Sequence, residues 1–269
     1  MEGLFRRVMT AGLLLIGFVL ALFWAPAPLW AALIAAVVGM GAHEWARLGQ
    51  FPPSVQVLYA VALGGMALLL PYVPDMNIAL LRNGLLVMAA LFWIAIAPLW
   101  LSLRWRGQQI FLRATLGVVI LLPTWAALLY LRERGPWVLL MVLAVVWVAD
   151  TAAFFAGRQF GQHKLAPRIS PGKTREGVIG AMLALMVYAS AVSAAVVGLR
   201  IVGALSLAMA LLYFSVLGDL FESWIKRVSD MKDSGSLLPG HGGVLDRIDA
   251  LTAALPIAAG VLILAEHYA

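Results

Sequence analysis

Apolar residues run in long, nearly unbroken blocks along this 269-residue chain, parted by short polar, proline-bearing or glycine-bearing breaks. About 20 apolar residues are what a helix needs to cross the hydrocarbon of a bilayer. The pattern predicts nine such spans, near 8–24, 28–46, 56–73, 84–103, 110–131, 137–157, 177–198, 201–226 and 250–267. "RWRGQQ" separates the fourth from the fifth and "RERGP" the fifth from the sixth, while "GLR" leaves the seventh and eighth as a tight helical hairpin. The expected fold class is all-α: a polytopic integral membrane protein of about nine helices, with polar loops at 158–176 and 227–249. It forms a single membrane domain, with helices 1–5 in residues 1–136 and helices 6–9 in residues 137–269. Arg6, Arg7 and the small residues at 25–27 imitate a secretory signal, but an apolar block follows at once, which suits a retained helix better.

Composition sharpens the picture. The chain is 63% hydrophobic and 12% charged, with a mean hydropathy of +0.96; a soluble domain would carry about twice that charge. No large soluble domain fits beside the helices. The absence of cysteine excludes disulfides, thiolate metal sites and cysteine nucleophiles. A net charge of +6 invites a nucleic-acid reading, yet its distribution points to membrane orientation. With the N-terminus in the cytoplasm, only Arg82, Arg132, Arg134 and Arg200 of the 19 lysines and arginines fall outside. That bias places both polar loops on the cytoplasmic face. No internal repeat is visible, which weighs against an inverted-repeat transporter.

Charges inside apolar helices mark sites. Asp219, Glu222, Ser223 and Lys226 share one helical face at i, i+3, i+4 and i+7. Asp246 and Asp249 repeat the device after "PGHGG", where three glycines let backbone approach a ligand closely. Lys226, Arg227, Lys232 and Arg247 crowd the same stretch. Carboxylates alternating with cations at a membrane surface suit a polyphosphate with bound divalent ions. The other loop, "GRQFGQHKLAPRISPGKTREG", is strongly basic. Its "GKT" is not a P-loop, because Pro167 stands where the first glycine is required and no strand is expected before it. Asp150 closes an apolar run as either a helix-end residue or a site residue. Glu44 is expected to pair with Arg47 at i,i+3.

Residues 223–249, "SWIKRVSDMKDSGSLLPGHGGVLDRID", resemble the signature of the phosphatidate cytidylyltransferase (CDP-diacylglycerol synthase) family. "ISPGKTREG" and "ADTAAFFAGRQFG" resemble two further stretches of it. The resemblance implies transfer of CMP from CTP to phosphatidic acid, giving CDP-diacylglycerol and pyrophosphate, in phospholipid biosynthesis. It also implies a divalent cation, Mg²⁺, with a second cation left open, and a homodimer with no nucleic-acid partner. The expected home is a bacterial inner (plasma) membrane, with the active site on the cytoplasmic side. Asp219, Asp246, Lys226 and Arg247 are the expected catalytic residues. Ser170, Lys173, Thr174, Arg175, Arg227, Lys232, His241, Gly242 and Gly243 are expected to bind substrate, and Asp219, Asp246, Ser223 and Asp249 to hold metal. Two other readings stay open: a CTP-dependent lipid kinase, which would release CDP, and a proton- or cation-coupled transporter using Asp150, Asp219 and Glu222.

Overall fold

The computed structural model describes residues 2–73, 77–237 and 242–268, with side chains from Gly12 onward except Leu14. Helices α1 (Glu2–Trp24), α2 (Ala27–Leu48) and α3 (Pro53–Leu69) open the chain. Next come α4 (Ile78–Leu91), a π-helical turn (Phe92–Ile96) and α5 (Ala97–Leu103), which run on as one span, then α6 (Ile110–Arg134) and α7 (Pro136–Phe160). A hairpin of β1 (Lys164–Ala166) and β2 (Ser170–Thr174) leads into α8 (Arg175–Ala195), α9 (Ile201–Val228) and α10 (Leu245–Tyr268). Eight spans among the described residues are long and apolar enough to cross a membrane. The predicted first span lies within α1, which is not among those eight. The protein is an all-α, multi-pass membrane protein.

The hairpin corrects the expectation that no strand lies near "GKT". Strands β1 and β2 pair antiparallel, with Lys164 opposite Thr174 and Ala166 opposite Ser170. A lone two-stranded ribbon is marginal in water, and its proline and glycine read as loop in sequence. Here α8 holds it. The Glu176 carboxylate accepts the N–H groups of Gln162 (3.1 Å) and His163 (3.2 Å) and meets His163 Nδ1 at 2.6 Å. Thr174 caps the same helix, its hydroxyl accepting from Gly177 N at 3.1 Å.

Long-range hydrogen bonds sort the connections into two ends. At one end, Ser229 Oγ donates to Leu48 O (2.6 Å), Trp224 Nε1 to Trp105 O (2.8 Å), Gln108 Nε2 to Val228 O (3.3 Å) and Arg227 Nε to Ile169 O (3.3 Å). At the other, Arg132 Nε reaches Leu22 O at 3.1 Å, and Glu266 meets both Tyr130 and Arg134. Both polar loops therefore gather at the first end. Between the ends, Phe92, Trp93 and Trp100 pack edge-on against Phe221 of α9, and such dense packing is what joins helices where lipid offers no hydrophobic drive. Helices α9 and α10 come into close contact at Gly218. A β-carbon there would stand 2.6 Å from Asp249 O and 3.2 Å from Ala253 Cβ. That contact sets the Asp219 and Glu222 turn of α9 against the Asp246 and Asp249 turn of α10.

Candidate active site

A cavity of about 430 Å³ opens between α7, α8, α9 and the hairpin. Its polar end carries Asp150, Ser170, Lys173, Thr174 and Asp219, and its remaining wall is apolar, from residues such as Phe154, Ala181 and Leu212. Lys173, aimed inward by β2, lies 2.6 Å from Asp219 Oδ2. Ser223, one turn further along α9, donates to Asp219 Oδ1 at 3.2 Å. The first polar loop and helix α9, widely separated in sequence, thus meet through the Lys173–Asp219 pair.

A second lysine–carboxylate knot lies alongside. Lys226 Nζ is 2.8 Å from Asp246 Oδ1 and 3.2 Å from Glu222 Oε1. All three side chains are no more than 10% exposed. Asp246 also accepts from Ser234 N at 2.9 Å and Gly243 N at 2.9 Å, so each of its oxygens is engaged. Asp249, a turn further along α10, has one oxygen on Ala250 N (2.8 Å).

Glu44 joins this site from α2. It does not pair with Arg47. Its carboxylate, 1% exposed, accepts from Ser234 Oγ (2.9 Å), Val244 N (3.0 Å) and Leu245 N (2.8 Å). The sequence marks the charge but not the partner, which lies about two hundred residues away. Ser234 and the hairpin anchor His163 escape sequence reasoning altogether, and Glu176 is marked only as part of "ISPGKTREG", not as the anchor; only the burial of short polar side chains would have marked Ser234.

The structure brings together Ser170, Lys173, Asp219 and Ser223 on the cavity side, and Lys226, Gly243, Asp246 and Asp249 beside them. Thr174 is buried and its hydroxyl is committed to capping α8. Arg227, Lys232 and Arg247 are exposed, as is Arg175, whose backbone N–H bonds His163 O at 2.9 Å. Gly242 takes a left-handed φ of +83°, turning the chain back toward Asp246. His241 lies outside the described residues.

The donor set suits a hard divalent cation. No group of three or more His, Cys, Asp or Glu stands ready as a metal site among the described residues, and lysine ammonium groups sit against three of the carboxylates, Asp219, Glu222 and Asp246. Yet the available ligands are all oxygens, the kind such ions choose. Buried Glu222 Oε1 also stands 3.2 Å from Lys226 Nζ without the alignment of a hydrogen bond, an under-satisfied acceptor of the kind that charge compensation would relieve.

The chain is similar to known proteins. The sequence matches the cytidylyltransferase family over residues 5–265. It is 40% identical to a phosphatidate cytidylyltransferase of Pseudomonas aeruginosa, over 96% of both chains. A phosphatidate cytidylyltransferase of Haemophilus influenzae is 38% identical, over 93% of this chain and 96% of its own. One from Thermotoga maritima is 41% identical over about half of each chain, 47% of this one and 49% of its own.

Proposed function

The chain belongs to the cytidylyltransferase family, and on that premise we propose that it is a phosphatidate cytidylyltransferase, joining CMP from CTP to phosphatidate with release of pyrophosphate. The observation that carries the reading is the cavity with one apolar wall and one charged end, where Lys173 and Asp219 meet. A lipid phosphate needs such a place: acyl chains against the helices, phosphate at the lysine.

A phosphate oxygen of phosphatidate attacks the α-phosphorus of CTP in line, the bond to the β-phosphate breaks, and pyrophosphate leaves. The nucleophile is already an anion, so no general base is required. The barrier lies in bringing anions together, which is a matter of positioning and fixed charge. Lys173 and Ser170 take a substrate phosphate at the cavity floor. Arg175, Arg227, Lys232 and Arg247 offset the charge of the triphosphate and the departing pyrophosphate, and Gly242 and Gly243 let backbone approach it. Lys226, enclosed by Glu222 and Asp246, holds Asp246 in place. Asp219 with Ser223, and Asp249 with Asp246, would hold a divalent cation, Mg²⁺ in this reading. When bound it supplies charge compensation at the phosphates. The reading extends to a bacterial inner membrane, with this end of the bundle in the cytoplasm where CTP is made, and to a homodimer.

The test uses purified protein with labelled CTP and Mg²⁺, given phosphatidate in one arm and a lipid alcohol in the other. Lipid-linked CMP and an equal amount of pyrophosphate are expected. CDP with a phosphorylated lipid alcohol would move the protein to the lipid kinases, and no lipid product at all would overturn the reading.

A further inference from the structure

We infer that Glu44 is a positioning residue for this reaction, supplied by α2 to fix the loop that carries Asp246. A carboxylate buried in a membrane protein is expensive unless every oxygen is covered. Glu44 is covered by three donors, all from residues 234–245: the Ser234 hydroxyl and the N–H groups of Val244 and Leu245. Those two amides are orphan donors at the start of α10, and a negative charge there also meets the favourable end of the helix dipole. Helices ordinarily find such a cap a few residues upstream. Here it comes from another span, 200 and 201 residues away along the chain.

The anchor bears on chemistry through Ser234, which is fully buried. Its hydroxyl donates to Glu44 while its backbone N–H donates to Asp246, at 2.9 Å in both bonds. Gly243 does the same from the other side, its N–H on Asp246 and its α-carbon against the Glu44 carboxylate. A β-carbon at 235 would lie 2.3 Å from Glu44 Oε1, and one at 243 would lie 2.5 Å from Glu44 Oε2. The loop is thus moulded around this carboxylate. Were Glu44 only filling space, an apolar side chain would serve and neither glycine would need to press against it. Charge-assisted bonds are about twice as strong as neutral ones, and two of them brace the first residues of the helix that holds Asp246.

The inference rests on the function proposed above, since it assigns Asp246 to CTP chemistry. Glu44→Gln keeps the shape but turns an amide N–H₂ toward donors. Turnover and hydrogen exchange are measured together on the full-length protein in nanodiscs. The expected result is a fall in kcat of about tenfold or more, from sub-ångström misplacement of Asp246, with KM for CTP within about threefold of the parent because Lys173 and the hairpin are untouched. Amide exchange in residues 233–245 should quicken while exchange in α7 and α8 stays unchanged. Should Glu44→Gln not be recovered folded, Ser234→Ala decides by the same measurements, with a fall in kcat of about threefold expected from one lost bond. A kcat within about twofold of the parent, unchanged exchange at 233–245, or losses that track only the folded fraction would each overturn the inference. Parent protein that makes no lipid-linked CMP would instead sink the function itself, and the positioning role with it; the exchange arm would then read the anchor alone.

Discussion

Asp219 keeps its carboxylate partly open to the cavity and meets Lys173 and Ser223 there, whereas Asp246 is enclosed by Lys226, Ser234 and Gly243. Removing one partner of a buried ion pair costs about 3–5 kcal/mol, because the other charge is stranded; a pair open to water costs about 1 kcal/mol or less. Asp219→Asn should therefore lower kcat by about 10²-fold or more with an almost unchanged melting temperature. Asp246→Asn should lose turnover and melt several degrees earlier. Turnover and thermal denaturation of the two variants side by side check this, and equal melting temperatures would contradict it. The charged face of α9 was legible in sequence because residues at helical spacing must share a side. The partners of those charges were not, since Lys173 and Asp246 reach them from other segments and nothing local in the sequence encodes such contacts.

At the scale of elements, the crossing of α9 and α10 decides whether the two charged turns face each other. It depends on the missing side chain at Gly218, where a methyl group would meet backbone, Asp249 O at 2.6 Å, and not a flexible side chain. Gly203 in the same helix faces open space, with nothing within 4 Å of where a methyl group would stand. Gly218→Ala should part the helices, lowering both melting temperature and turnover severalfold or more, while Gly203→Ala should stabilise by up to about 1 kcal/mol through helix propensity. Turnover and melting of the pair test the crossing, and a harmless Gly218→Ala would refute it. The long helices were legible because lipid demands uninterrupted apolar length. The hairpin was not, because strands of three and five residues carrying proline and glycine give no periodic signal. The π-helical turn at Phe92–Ile96 was also invisible, since its residues are as apolar as those of the α-helix on either side.

Across the whole molecule, both polar loops lie at one end and the Arg132, Arg134 and Glu266 contacts at the other. The proposed orientation puts the first end in the cytoplasm, on the strength of the positive-inside bias. The chain has no cysteine, so single replacements report cleanly on sidedness. Gly172, with open space around it, marks the loop end, and fully exposed Val197 marks the other. In intact cells a membrane-impermeant maleimide should label Val197→Cys, and Gly172→Cys only after permeabilisation; the reverse pattern would invert the topology and put the site away from its nucleotide.

The clasp between α2 and the start of α10 also has a timing. Glu44 leaves the ribosome some two hundred residues before Val244 and Leu245, the amides that will cover it. Until translation delivers them, a growing chain carries an acidic group without the donors that cover it in the finished fold. Premature termination makes that condition permanent, so a fragment ending short of its last helix keeps a buried acid stripped of two of its three donors.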